Sequence, residues 1–173
     1  MLINLLVAHG VIILAALGAM FVAVPEGRQQ VIRTWRLLVP PGLAAVAAFV
    51  EVIYPSLREL DQPAMWQFAV IAGVVGLVRG QFMAMEVDQI WNVLRLRSLP
   101  DALWATIALV LLALVGAVEA YLVGTTRDPE SPGIRILIEI GMTAAAAFLI
   151  GRAGTAWFRI PHVPHHELVE PEA

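Results

Sequence analysis

The sequence predicts an all-α, polytopic membrane protein with five transmembrane helices, and three observations predict it. Hydrophobic residues fill 60% of its 173 positions, where a soluble domain holds roughly 45 to 50%. The mean hydropathy is +0.80. Five apolar stretches, each bounded by Pro, Gly or charged residues, approach the ~20 residues that cross a hydrocarbon core of about 30 Å. The arginines fall mostly in alternate connections, as they do when chain segments alternate between two sides of a bilayer.

The first span covers about residues 2–24, without a formal charge, and Pro25 is expected to end it. It lacks a basic leading region and a small-x-small cleavage site, so it is expected to be retained rather than removed as a signal peptide. The linker from Pro25 to Arg36 carries Arg28, Arg33 and Arg36. The second span, about 37–54, closes at the interfacial Tyr54-Pro55 pair. The third starts near Ala64 and is uncharged only to Val78, so it is extended past Arg79 to about Met85, giving 64–85. The fourth, about 102–123, follows Asp101 as an expected N-cap and is interrupted only by Glu119. The fifth, about 134–158, carries Arg135, Glu139 and Arg152. Residues 1–160 form one domain, and 161–173 a polar cytoplasmic tail.

Residues 86–100, between spans three and four, admit two readings. Val87, Ile90, Trp91 and Leu94 fall at i, i+3, i+4 and i+7, which predicts an amphipathic helix lying at the interface. A short hairpin turning near Asp88-Gln89 is the alternative.

With the N-terminus outside, the inner segments hold Arg28, Arg33, Arg36, Arg79, Arg95, Arg97, Arg152 and Arg159, and the outer ones Arg58, Arg127 and Arg135. The bias favours N-outside, C-inside, and the Arg-only, Ala-rich composition suggests a bacterial inner membrane. All eleven basic residues are Arg and there is no Cys. This removes lysine Schiff bases, the P-loop lysine, disulfides, thiolate nucleophiles and iron–sulfur ligation. No basic patch supports nucleic-acid binding. The expected partners are the lipid bilayer and other membrane subunits, or a second copy of the chain.

Ionisable groups within spans are costly and raise a functional question. Glu51, Glu119, Glu139 and His9 all map to the outer leaflet, the carboxylates roughly 4 to 8 Å below their helix ends at about 1.5 Å per residue. Small residues share their faces: Ala44, Ala47 and Ala48 with Glu51, Gly116 and Ala120 with Glu119, Thr143 and Ala146 with Glu139. Such a layer can bind a cation or pass protons; equally, Arg135 can pair with Glu139 one turn away and the layer be structural. Arg79 has two readings as well, a lock onto Glu86, Asp88 or neighbouring carbonyls, or snorkelling to inner phosphates. Gly76-x-x-x-Gly80 reads as close helix packing. The tail histidines His162, His165 and His166 can ligate a metal, but a Pro-rich polar terminus reads first as disordered. Only His9 lies within a span, which argues against haem held by this chain alone. No cofactor is assigned. The five tryptophans lie near span ends and read as an aromatic belt.

Arg79-Gly80, Val87-Asp88, Arg95 and Pro100, followed by a long apolar helix to Tyr121, resemble the pattern of the CcdC-like small bacterial membrane proteins. The resemblance covers about residues 76–121 and implies four or five spans, an association with cytochrome c biogenesis, and a site around Arg79 and Asp88. The chain departs from that pattern in its acidic outer layer and histidine-containing tail.

Three functional readings follow. The preferred one is a non-catalytic integral subunit or assembly factor of a larger inner-membrane complex, respiratory, photosynthetic or cytochrome-biogenic. The second is a small homodimeric proton- or cation-coupled transporter using the glutamate layer. The third is a cofactor- or quinone-associated membrane protein with His9 as axial ligand.

Overall fold

The computed structural model describes residues 2–53, 63–97, 100–126 and 132–168. It is mostly helical, with five helices long and apolar enough to span a membrane. These are α1 (Leu2–Gly27), α2 (Val39–Ile53), α3 (Pro63–Gln81), α4 (Asp101–Thr126) and α5 (Pro132–Arg159). They alternate in direction, so the C-terminal ends of α1, α3 and α5 meet the N-terminal ends of α2 and α4.

At that common end lies a small β-sheet, which amends the all-α expectation. Its strands are β1 (Val31–Arg33), β2 (Met85–Asp88) and β3 (Val93–Leu96), in the order β1-β3-β2 and antiparallel throughout. Residues 85–96 therefore form the hairpin, not the interfacial helix. Its turn is set by Asp88, whose Oδ1 accepts from the backbone N–H of Ile90 at 3.0 Å and of Trp91 at 3.2 Å. Asn92 closes it at φ 52°, a left-handed conformation that Asn tolerates well. The apparent helical stripe is divided: Val87 and Leu94 are fully buried, while Ile90 and Trp91 stand exposed at the tip.

The register explains the sheet's two faces. Ile32, Leu94 and Val87 align across the three strands, and all are buried. They pack with Leu37, Met83 and Leu96 onto Ala153 and Ala156 of α5. The next row, Val31, Arg95 and Glu86, faces away, and Glu86 pairs with Arg97 at 3.0 Å and Arg95 at 3.8 Å.

Two helix boundaries and one linker differ from expectation. α1 runs through Pro25 to Gly27, because a proline in the last turn removes one hydrogen bond and leaves the next turn able to close. Closure is of the Schellman type: Gln30 N–H to Pro25 O and Gln29 N–H to Glu26 O, both 3.0 Å, with Gln29 at φ 56°. α3 stops at Gln81 rather than Met85. Arg159 donates to Gly80 O in its last turn at 2.8 Å and to Met83 O just beyond it at 3.0 Å, and Met85 is already in β2. The linker 25–36, read as loop, supplies β1 and the start of a 3-10 turn at Thr34–Leu38.

The bundle core is alanine-rich. Ala15, Ala16, Ala44, Ala47, Ala48, Ala113 and Ala146 are buried with Ile12, Leu109, Met142 and Leu149, so the helix axes approach closely. α5 is central, touching α2, α3 and α4, while α3 packs chiefly on α5. That contact is backbone-tight. A Cβ on Gly76 would meet Phe148 O at 2.2 Å, one on Gly80 Arg152 O at 2.5 Å, and one on Gly151 Gly73 O at 2.4 Å. The exposed flank of α3 is apolar, with Phe68, Val70, Ile71, Val74, Val75 and Val78 all outward.

Candidate functional site

Two polar layers occupy opposite ends of the bundle, and each ties together side chains from four helices. At the sheet end the centre is Arg152 of α5, whose side chain is 2% exposed. Its Nη2 donates to Glu26 Oε1 on α1, and its Nε donates to Asp101 Oδ1 on α4 at 3.0 Å. The second Asp101 oxygen accepts from Arg79 Nε of α3 at 2.5 Å. Two cations and two carboxylates thus cancel inside the protein. Asp101 is the first residue of α4, and its Oδ1 also takes the Ala102 N–H at 3.0 Å. It serves the arginines as well as the helix start, a role beyond the expected cap.

Local sequence explains each position. Arg152 sits between Gly151 and Ala153, where small neighbours let α3 and α5 close over the guanidinium. Glu26 reaches the layer only because α1 continues past Pro25. Arg79 stands in the last turn of α3, opposite Gly80, whose missing side chain lets α5 pass.

The expected inner site of Arg79 and Asp88 is not one site. Arg79 joins the ion layer, whereas Asp88 belongs to the hairpin and the C-terminal segment. Residues 163–168 of that segment run as a strap along β2, where a disordered tail was expected. His165 bridges to Val87 in parallel, His166 N–H donates to Val87 O at 2.9 Å, and Leu168 N–H donates to Asp88 Oδ2 at 3.2 Å. Gln89 Nε2 donates to Val163 O at 3.2 Å, and its backbone N–H to His165 Nδ1 at 3.3 Å. Burial acts to raise the Asp88 carboxyl, but the N–H groups of Trp91, Leu168 and Ile90, with the His165 ring, outweigh it and hold the carboxyl below its ordinary value.

The tail histidines are not gathered as a metal site. His162 Nδ1 contacts Phe158 O at 3.1 Å, and His165 is engaged on the hairpin. Among the described residues no group of three or more His, Asp or Glu side chains is placed to hold a metal ion.

At the opposite end the structure brings the four expected side chains together. Glu51 and Glu139 are buried, at 6% and 8% exposure, and Glu119 and His9 are half-buried. Glu51 is surrounded by His9, Glu139, Arg135 and Glu119. α4 passes it at Gly116, where a Cβ would lie 3.8 Å from Glu51 Oε1. Arg135 Nε donates to Glu139 Oε1 at 3.2 Å, the i,i+4 pair anticipated from spacing. Arg58 and Arg127, expected at this surface, lie outside the described residues. The arrangement can hold a cation or a proton; it presents no nucleophile paired with a base.

No family model, no curated protein and no solved structure matches this chain.

Sequence reasoning missed Glu26 and the partnership of Arg152 with Asp101. Arg152 was signalled by its place within an apolar run, but its partners lie 126 and 51 positions away, beyond any local pattern.

Proposed function

We propose that this chain is a non-catalytic integral subunit, or an assembly factor, of a larger complex in a bacterial inner membrane, with the N-terminus outside and the sheet end cytoplasmic. One observation carries the reading: the buried Glu26 and Arg152 and the half-buried Asp101 are consumed in binding α1, α5 and α4 to one another, with Arg79 adding α3. Such a layer fixes helix register and leaves no acid, base or nucleophile poised for a substrate. The arginine distribution supports the orientation, because the sheet end carries Arg28, Arg33, Arg36, Arg95, Arg97 and Arg159 in addition to Arg79 and Arg152. The CcdC-like pattern over residues 76–121 supports the same reading, since that group has no defined chemistry of its own.

The test is native mass and absorbance after extraction from the source membrane in mild detergent. Co-migration with a larger assembly is the expected result. A discrete, colourless homodimer would displace this reading in favour of the carrier.

That second reading rests on a specific observation of its own. Glu51 and Glu139 are buried side by side with Glu119 and His9 near, a layer that a proton- or cation-coupled carrier could use at a dimer interface.

A further inference from the structure

An open cleft of about 580 Å³ lies at the sheet end, lined by Gln81, Met83, Ala84, Met85, Arg159, His162, Val163 and Pro164. It sits where the spans of α3 and α5 finish, between the last turn of α3, the first residues of β2 and the start of the strap. Of the arginines in helices at this end, Arg79 and Arg152 are neutralised by carboxylates. Arg159 is not: among the described residues its side-chain bonds go to the carbonyls of Gly80 and Met83. The carboxylates of the adjacent hairpin are engaged elsewhere, Glu86 by Arg97 and Arg95, Asp88 by its own turn and the strap. The cleft therefore has a cationic wall and, among the described residues that line it, no acid. Carbonyl bonds fix the guanidinium without cancelling its charge. His162 lines the same cleft.

Two exposed phenylalanines neighbour its lining residues in the chain. Phe82, between the lining residues Gln81 and Met83, is 77% exposed, and Phe158, whose carbonyl meets His162, is 78% exposed. Phenyl rings this exposed at the end of a span belong among acyl chains and glycerol backbones rather than in bulk water.

We propose that this cleft binds the phosphate of an anionic phospholipid headgroup, with Arg159 as its principal cation and Phe82 and Phe158 beside the upper acyl chains. The occupant is a lipid rather than a free anion because the cationic wall lies where α3 and α5, both long and apolar enough to cross a membrane, come to their ends. The inference rests on the bilayer placement above and is independent of the subunit reading.

The experiment reconstitutes the full chain into bilayers of phosphatidylcholine alone or mixed with phosphatidylglycerol, confirms insertion by flotation, and counts retained lipid by native mass spectrometry after gentle extraction. The wild type is expected to retain phosphatidylglycerol at least tenfold over phosphatidylcholine. Arg159→Gln removes the cation but also releases the Gly80 and Met83 carbonyls, so Gln81→Glu is the decisive variant. It is an exposed, isosteric change that sets a carboxylate beside Arg159, and it is expected to abolish the preference with helicity unchanged. Arg159→Lys is expected to keep most of it. Equal retention of both lipids by the wild type, or an undiminished preference in Gln81→Glu, would overturn the proposal. Displacement of the lipid by inorganic phosphate at equal concentration would overturn the lipid assignment in favour of a free anion. Failure of flotation in either bilayer would count against the membrane placement itself.

Discussion

Arg152 Nε donates to Asp101 Oδ1 across 3.0 Å and 51 positions of chain, and through that bond the start of α4 is held against the last third of α5. Glu26 meets the same guanidinium from α1, and Arg79 meets the other Asp101 oxygen from α3. The stability of the layer depends on its charge balance more than on any one pair. A buried ion left without its partner costs about 3 to 5 kcal/mol, whereas removing a balanced pair is often nearly neutral.

Arg152→Gln should therefore destabilise the fold by about 3 to 5 kcal/mol, because Glu26 and Asp101 then share only Arg79. Adding Glu26→Gln should restore a large part of that loss, since Asp101 and Arg79 remain as a balanced pair. Arg79→Gln should cost less, roughly 1 kcal/mol, because its side chain is 31% exposed and water can replace it. Thermal unfolding of the four proteins in one detergent checks this. A double variant weaker than Arg152→Gln alone would refute the charge-balance argument.

The glycines between α3 and α5 differ sharply in what they permit. Gly76→Ala should separate the two helices and destabilise by about 1 to 3 kcal/mol, because the new methyl would fall on the Phe148 carbonyl, which is backbone and cannot rotate away. Gly154→Ala on α5 should be neutral or slightly stabilising, since its Cβ meets nothing within 4 Å. Thermal unfolding, together with cross-linking between cysteines introduced on α3 and α5, distinguishes a displaced helix from a general loss of stability.

What could be read in the sequence was what hydrophobic length and residue spacing encode. The five helices, the Arg135–Glu139 pair and the convergence of Glu51, Glu119, Glu139 and His9 all follow from one-dimensional periodicity and from helix alternation. What could not be read depended on distant partners. The stripe Val87, Ile90, Trp91, Leu94 satisfies a helical period equally well. It becomes a hairpin because β1, more than fifty residues earlier, offers Ile32 to pair with Leu94 and because α5 offers Ala153 and Ala156 to cover them. Glu26 was hidden for a related reason: a proline before it reads as a helix end, and only the need to meet Arg152 shows that the helix continues.

Asp88 gives the strap a pH dependence. Its carboxyl is held below the ordinary carboxylate value in the folded state, so its contribution is fully present above the unfolded value of about 3.9 and is lost as pH falls through the lower folded value. The C-terminal segment should stay docked at neutral and mildly acidic pH and release only below about pH 4. Asp88→Asn should release Leu168 even at neutral pH. The amide can still accept from Ile90 and Trp91 with its oxygen, but then presents an N–H₂ to the Leu168 N–H. Hydrogen exchange at Leu168 across this pH range is the measurement, and protection unchanged in Asp88→Asn would show that the carboxylate does not hold the strap.

The glutamate layer separates the two functional readings. In a subunit, Glu51→Gln, Glu119→Gln and Glu139→Gln preserve side-chain volume and hydrogen-bonding capacity, so each should shift stability by about 1 kcal/mol or less and leave the yield of the assembled complex unchanged. Glu139→Gln should show the clearest effect of the three, because it breaks the 3.2 Å pair with Arg135. In a carrier the same substitutions remove the group that gains and loses the proton, and flux should vanish without loss of fold. Reconstituted vesicles with a pH-sensitive dye inside, assayed beside native mass for each variant, resolve the two. Proton or cation flux in the wild type that disappears in Glu51→Gln at unchanged helicity would end the subunit reading. Silent vesicles with intact complex assembly in all three variants would leave the layer a helix contact, matched at the sheet end by Glu26, Arg79, Asp101 and Arg152.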